Sequence, residues 1–230
     1  MLRELLAAWR SNNPLKEMYE RLLTMVEAGQ WMYEKAWESA VAGAVNPGIK
    51  EEIYRRDVEV NKSERAIRKR IVEHLTVQPG VDVPACLILM SVVKDAERIG
   101  DYCKNMLEAA ELESESIEKC PFYKGMGEIF EEVRILFSKT RQALAESDVM
   151  LGHEIILEER DISGRCDALV ERFTKEDLSS RLAVPWALLT RYIKRISAHL
   201  GNLASSLVMP LHKLDYFDEK VLPEKAGDDA

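Results

Sequence analysis

Apolar residues recur every three or four positions along most of this chain, and the recurrence is interrupted only by short polar clusters. The first long run reads Met18, Leu22, Met25, Met32, Ala36 and Ala40, the one-sided stripe of an amphipathic helix. Asn12 or Asn13 offers an N-cap and Pro14 suits the first helical position. A short amphipathic helix, Leu2 to Trp9, precedes this run, and Gly43 to Gly48, with Asn46-Pro47, ends it. A second long helix spans about Ile49 to Leu75 on Ile53, Val60, Ile67, Ile71 and Leu75. Asp57 and Glu64 fall in line with its stripe, where apolar residues are expected. Val77-Gln78-Pro79-Gly80 is a turn.

The third helix carries Leu89, Val92, Ala96, Ile99, Cys103, Met106 and Ala110, a heptad-like seam suited to a bundle. Polar Glu111 to Lys119 reads as a linker closed by Cys120-Pro121. A fourth helix follows from about Phe122 to Glu146, with Ile129, Val133, Leu136 and Thr140 on one face. The fifth, about Asp148 to Thr174, carries Ile155, Ile162, Leu169 and Phe173. The sixth begins near Ser179 or Ser180, takes Pro185 in its first turn, and runs on Leu189, Ile193, Ile196, Leu200, Leu203 and Leu207 to Met209-Pro210. The tail, Leu211 to Phe217, either packs back across the bundle or docks a partner.

These seams repeat. One constant offset maps Val92, Ala96, Ile99, Cys103, Met106 and Ala110 onto Leu189, Ile193, Ile196, Leu200, Leu203 and Leu207, and also Arg98 onto Arg195 and Asn105 onto Asn202. A second constant offset maps Ile53, Val60, Ile67 and Ile71 onto Ile155, Ile162, Leu169 and Phe173. The fold class is therefore all-α: two tandem three-helix bundles of six long antiparallel helices, one over residues 1–117 and the other, with the tail, over 118–230.

Composition agrees with this picture and narrows the function. Of 230 residues, 47% are hydrophobic and 31% charged, while only 11 glycines and 8 prolines are present, too few for a turn-rich β fold. A net charge of −8 disfavours nucleic acid as a partner. No apolar run approaches the ~20 residues that span a bilayer, and the start lacks a signal-peptide core, so the chain reads as cytoplasmic. Cys86, Cys103, Cys120 and Cys166 form no CxxC pair and read as reduced thiols packed on helices.

The candidate chemistry centres on Asp95 to Asn105. Glu97, Asp101 and Asn105 stand at i, i+4 and i+8, one stripe of a helix roughly opposite its apolar seam, which puts them on an outer face. Two carboxylates so placed need an arginine, a proton or a cation. The plain alternative is a solvated face with Arg98 paired to Asp101; the functional one is a surface site whose carboxylate and amide oxygens suit Mg, Mn, Ca or iron. Asp57, Asn61 and Glu64 either reach solvent and pair with bases such as Arg68 or add acidic groups toward a neighbouring helix; their repeat counterparts are Glu159, Ser163 and Cys166.

No other feature carries chemistry. His74, His153, His199 and His212 lack a glutamate three residues before them, which argues against a di-iron bundle, and no zinc motif includes them. Gly125-Met126-Gly127 follows no strand and does not signal a dinucleotide site. No nucleophile has an obvious base, so the chain reads as a non-enzyme. The stripe Met18, Met25 and Met32, with Trp31 and Trp37, reads as core, with an adaptable partner surface as the alternative.

Glu97-Arg98-Ile99-Gly100-Asp101-Tyr102-Cys103-Lys104-Asn105 resembles the E-R-I-G-D-H-x-x-N core of PhoU domains, and Arg195 to Ala204 resembles a worn copy of it. The resemblance covers nearly the whole chain. It implies a cytosolic accessory protein that restrains phosphate transport and signalling by contacting a phosphate transporter subunit or a sensor histidine kinase, reaching the membrane only through those partners. It further implies a divalent cation or iron on Glu97-x-x-x-Asp101, with Asn105 in line. In the second copy Lys194 and Ala198 replace the two acids, so an equivalent second metal site is not expected. A homodimer through exposed helical faces is compatible with this reading. The rival reading is a helical-bundle metal store or a metal-dependent enzyme.

Overall fold

The computed structural model describes residues 14–112 and 120–214. Six long helices make up almost all of it: α1 (Pro14–Ala42), α2 (Pro47–Val77), α3 (Val83–Glu111), α4 (Tyr123–Glu146), α5 (Val149–Phe173) and α6 (Ser180–Val208). A 3-10 turn, Leu211–Lys213, returns against α3. The expected helix at Leu2 to Trp9, most of the Glu111–Lys119 linker and the tail beyond Leu214 lie outside the described residues.

Local chemistry sets the helix ends. Asn46 accepts a hydrogen bond from the Gly48 N–H, with Pro47 as the first helical residue, so Asn46-Pro47 starts α2 rather than merely stopping α1. Gly43 and Gly80 take positive φ (63° and 87°), which glycine adopts without steric cost, in the turns that end α1 and α2. Asp148 caps α5 by accepting from Met150 and Leu151, and Ser179 caps α6 by accepting from Leu182. Pro185 lies beyond the first turn of α6, inside the helix.

The apolar seams read from the sequence are buried. Leu22, Ile53, Ile67, Ile99, Met106, Leu136, Ile155, Leu189, Ile196 and Leu203 lie among the core side chains. Helices α1–α3 pack on one another as one bundle and α4–α6 as another, and the bundles join along α3 against α6 and α1 against α4. A single apolar core runs through both. Along α1 and α4, Tyr19 and Tyr33 donate their hydroxyls to the carbonyls of Leu144 and Phe130 (2.9 and 3.3 Å). Tyr33, Trp37 and Phe130 stack beside them. Buried phenols that find an acceptor fix the height of one helix against the other.

Helix α3 is the centre of the molecule, covered by α1, α2 and α6. Its approach to α1 is close: a Cβ on Gly29 would lie 2.8 Å from Ile99 Cγ2. A helix covered on three sides has little outer face left, and this decides where its polar stripe goes.

Candidate functional site

Glu97 is only 8% exposed, so the stripe does not lie on an outer face. It faces α2, where Asp57 and Glu64 are buried in the stripe that the sequence shows interrupted. Four carboxylates thus meet along the α2–α3 seam.

Lysines bridge them. Lys104 Nζ lies 2.9 Å from Asp57 Oδ2 and 3.1 Å from Asp101 Oδ1, joining one acid of each helix. Lys94 Nζ lies 2.6 Å from Glu97 Oε2 and 3.9 Å from Glu64 Oε1. Arg68 reaches Glu64 at 3.1 Å and Arg98 reaches Asp101 at 3.4 Å, closing the two ends. Asn61 donates to Asp57 Oδ2 at 3.2 Å. The plain pairing of Arg98 with Asp101 is therefore present, as one part of a larger network. Asn105 is half-buried and joins neither lysine bridge.

Burial pushes the Asp57 carboxyl above its usual value, and the Lys104 bond offsets only part of that push. Burial also works against the Lys104 ammonium, but its bonds to Asp57 and Asp101 prevail and hold it above the ordinary lysine value. Asp57 Oδ1 is buried without a hydrogen-bond partner.

These geometries bear directly on metal binding. A hard cation needs six or more oxygen donors at about 2.0–2.6 Å. Among the described residues no three His, Cys, Asp or Glu side chains form a group able to hold one. Glu97 Oε2 and Asp101 Oδ1 are each taken by an ammonium group. As arranged, the donor set does not fit a metal ion.

A second polar cluster lies where α3 meets α6. Buried Asp95 accepts from Asn202 Nδ2 at 2.7 Å and lies 2.7 Å from His199 Nδ1 through the same oxygen. Tyr102 stacks on His199, with centroids 5.6 Å apart, and leans on Tyr192 at 6.1 Å. The offset that relates the two motifs pairs Asp95 with Tyr192 and Tyr102 with His199. Across the interface Asp95 meets His199 while Tyr192 meets Tyr102, so this contact has its mirror. That reciprocity is the signature of a two-fold, isologous contact. Asn202, the asparagine kept in both motifs, is here a structural clasp.

The α5–α6 seam, counterpart of α2–α3, is built differently. Glu159 and Cys166 are buried in it, but Lys194 and Arg191 both bond outward to Asp167. All four cysteines are buried, and none is in a disulfide. Sequence reasoning passed over Lys94 and Lys104, although each stands three residues from its acid, the spacing of an intrahelical ion pair. It gave Asp95 no role, because its partners lie more than a hundred residues away.

Comparison with known proteins follows the same outline. The PhoU domain family model matches residues 15–110. The phosphate-specific transport system accessory protein PhoU homolog 1 of Thermotoga maritima is 25% identical over 127 residues, 53% of this chain and 54% of that protein. The chain thus spans about half the length of that curated relative. The crystal structure of the phosphate transport system regulatory protein PhoU from Streptococcus pneumoniae aligns with a TM-score of 0.75 at 16% identity, covering 90% of this chain and 97% of that one. PhoU from Pseudomonas aeruginosa aligns at 0.73 with 20% identity, covering 84% and 95%. At these identities the two structures speak to the fold, and they extend the likeness over both bundles. Among the described residues no helix is long and apolar enough to cross a membrane.

Proposed function

With residues 15–110 forming a PhoU domain, the chain belongs to the PhoU family, and from that premise we propose that it is a non-enzymatic accessory regulator of phosphate transport. It acts in the cytoplasm by docking its helical faces on a phosphate transporter subunit or on the sensor histidine kinase that reports phosphate supply. It reaches the membrane only through them, and pairs as a homodimer. The observation that carries this reading is the match of the first bundle to the PhoU domain. The curated relative named for a phosphate-specific transport system adds support over the part of the chain it covers.

The chemistry of the molecule is compatible with an adaptor. Its polar clusters are spent on holding helices together: Lys104 and Lys94 across α2–α3, Asp95 across α3–α6. A pull-down from native membranes tests the proposal. A phosphate transporter subunit or its kinase should co-purify with the tagged chain, and deletion of the gene should alter phosphate uptake and phosphate-responsive expression. Unchanged uptake and expression, with neither partner recovered, would defeat it. Light scattering of the purified chain at micromolar concentration tests the dimer separately.

A further inference from the structure

We propose that Lys94 and Lys104 are the resident cations of the α2–α3 acid seam, and that they close to metal ions a constellation whose carboxylates would otherwise bind one. Four carboxylates in one seam cannot all stay charged without neutralisation. A divalent ion and an ammonium group are alternative solutions for the same oxygens. The ion needs the oxygens bare, whereas the ammonium gives each a hydrogen bond at the longer distances found here, 2.6–3.1 Å to Glu97, Asp57 and Asp101.

Three observations favour the ammonium. Each lysine sits between an acid of α2 and an acid of α3, where a bridging ion would sit. The charges balance: Asp57, Glu64, Glu97 and Asp101 face Lys94, Lys104, Arg68 and Arg98, leaving no excess negative charge to draw a divalent cation in. The lysines are also anchored, since both rise from α3 itself and Lys104 has only 20% of its side chain exposed. The seam is thereby independent of metal supply, and its cross-helix attachment is set by two amines.

The test compares the wild-type chain with the Lys94→Met/Lys104→Met double variant, purified without chelator and titrated with Mn2+. The wild type should carry no stoichiometric manganese or iron by plasma mass spectrometry. The double variant, folded by circular dichroism, should bind Mn2+ at least roughly tenfold more tightly than the wild type. A Lys94→Arg/Lys104→Arg control, which keeps both charges, should behave as wild type. Stoichiometric metal in the wild type, lost in Glu97→Gln/Asp101→Asn, would overturn the proposal, and so would a folded double variant with no gain in affinity.

A second measurement needs no variant. Amine acetylation followed by mass spectrometry should modify Lys94 and Lys104 more slowly than exposed Lys62 and Lys69, at rates unchanged by Mn2+. Faster labelling of Lys94 and Lys104 when Mn2+ is added would mean that metal displaces them, and would sink the idea even if the double variant failed to fold.

Discussion

The α2–α3 seam and its repeat, the α5–α6 seam, bury equivalent apolar stripes yet handle charge in opposite ways. In the first, acids from both helices point inward and lysines from α3 bridge them. In the second, the positions of Glu97 and Asp101 hold Lys194 and Ala198, and the two cations of α6 turn outward to a single exposed acid, Asp167. The apolar stripe therefore specifies that the helices pack. The polar residues beside it decide what else the seam does. A buried network is costly to interrupt because the surviving partner stays buried and unpaired, whereas an exposed pair contributes little. The two bundles should differ most in how they respond when a lysine is removed.

The largest test asks whether the two halves are one unit at all. Ile99 and Ile196 are repeat equivalents, both fully buried on the central helix pair. Ile99→Ala and Ile196→Ala should each cost about 2–5 kcal/mol in urea unfolding, and each should shift one common transition. Two separated transitions, with only one moved by each variant, would show that the halves fold independently.

Next come the seams themselves. Lys104→Met should cost about 1–3 kcal/mol, because it strands Asp57 in the seam. Lys194→Met, at the exposed pair, should cost no more than about 1 kcal/mol. Equal losses would erase the contrast between the seams. Asp95→Ala removes the acceptor shared by His199 and Asn202, and should also cost about 1–3 kcal/mol. Thermal unfolding of that variant and of Tyr192→Ala compares the two arms of the reciprocal contact directly.

The smallest effect at neutral pH is shared by both halves and appears only in alkali. Burial lifts the Cys86 thiol to about 11 and the Cys166 thiol to about 12, and raises Cys103 and Tyr33 as well. The unfolded chain loses these thiol protons near 9.0 while the native chain keeps them, so the native state binds more protons above that value. Their stabilisation is complete below pH 9.0 and declines as pH climbs through the folded values. Urea midpoints at pH 8 and pH 10.5 check this, and Cys103→Ala and Cys166→Ala should each flatten the decline. A midpoint independent of pH would contradict the burial of the thiols.

Much of this architecture was legible in the sequence for a physical reason. A three-to-four spacing of Leu, Ile and Val can be buried only by a helix, and Asp148 and Ser179 mark helix starts through their own hydrogen bonds, whereas Asn46-Pro47, which reads as the end of α1, also caps α2. The stripe of Glu97 and Asp101 was legible as a stripe but not as a location. A helical wheel of α3 alone shows one apolar face and calls the other side outer. Packing by α1, α2 and α6 leaves Glu97 buried against Glu64 and Lys94. The buried acids Asp57 and Glu64 were the hint that α2 is the helix that covers it. The pairing of Asp95 with His199 had no local signal: the repeat offset matches Asp95 to Tyr192, and only the packing of α3 on α6 brings it to His199.

The reciprocal contact of α3 with α6 has a consequence for what kinds of side chain can meet there. Two separate copies of one protein, meeting across a symmetry axis, must bring the same residue from both sides onto the axis itself. Tethering the copies in one polypeptide lifts that constraint and holds them together at roughly millimolar effective concentration, whatever amount of protein is present. Tyr102 can then lie against His199, its own counterpart in the repeat. A phenol on an imidazole at the axis is a match that no pair of identical subunits can make.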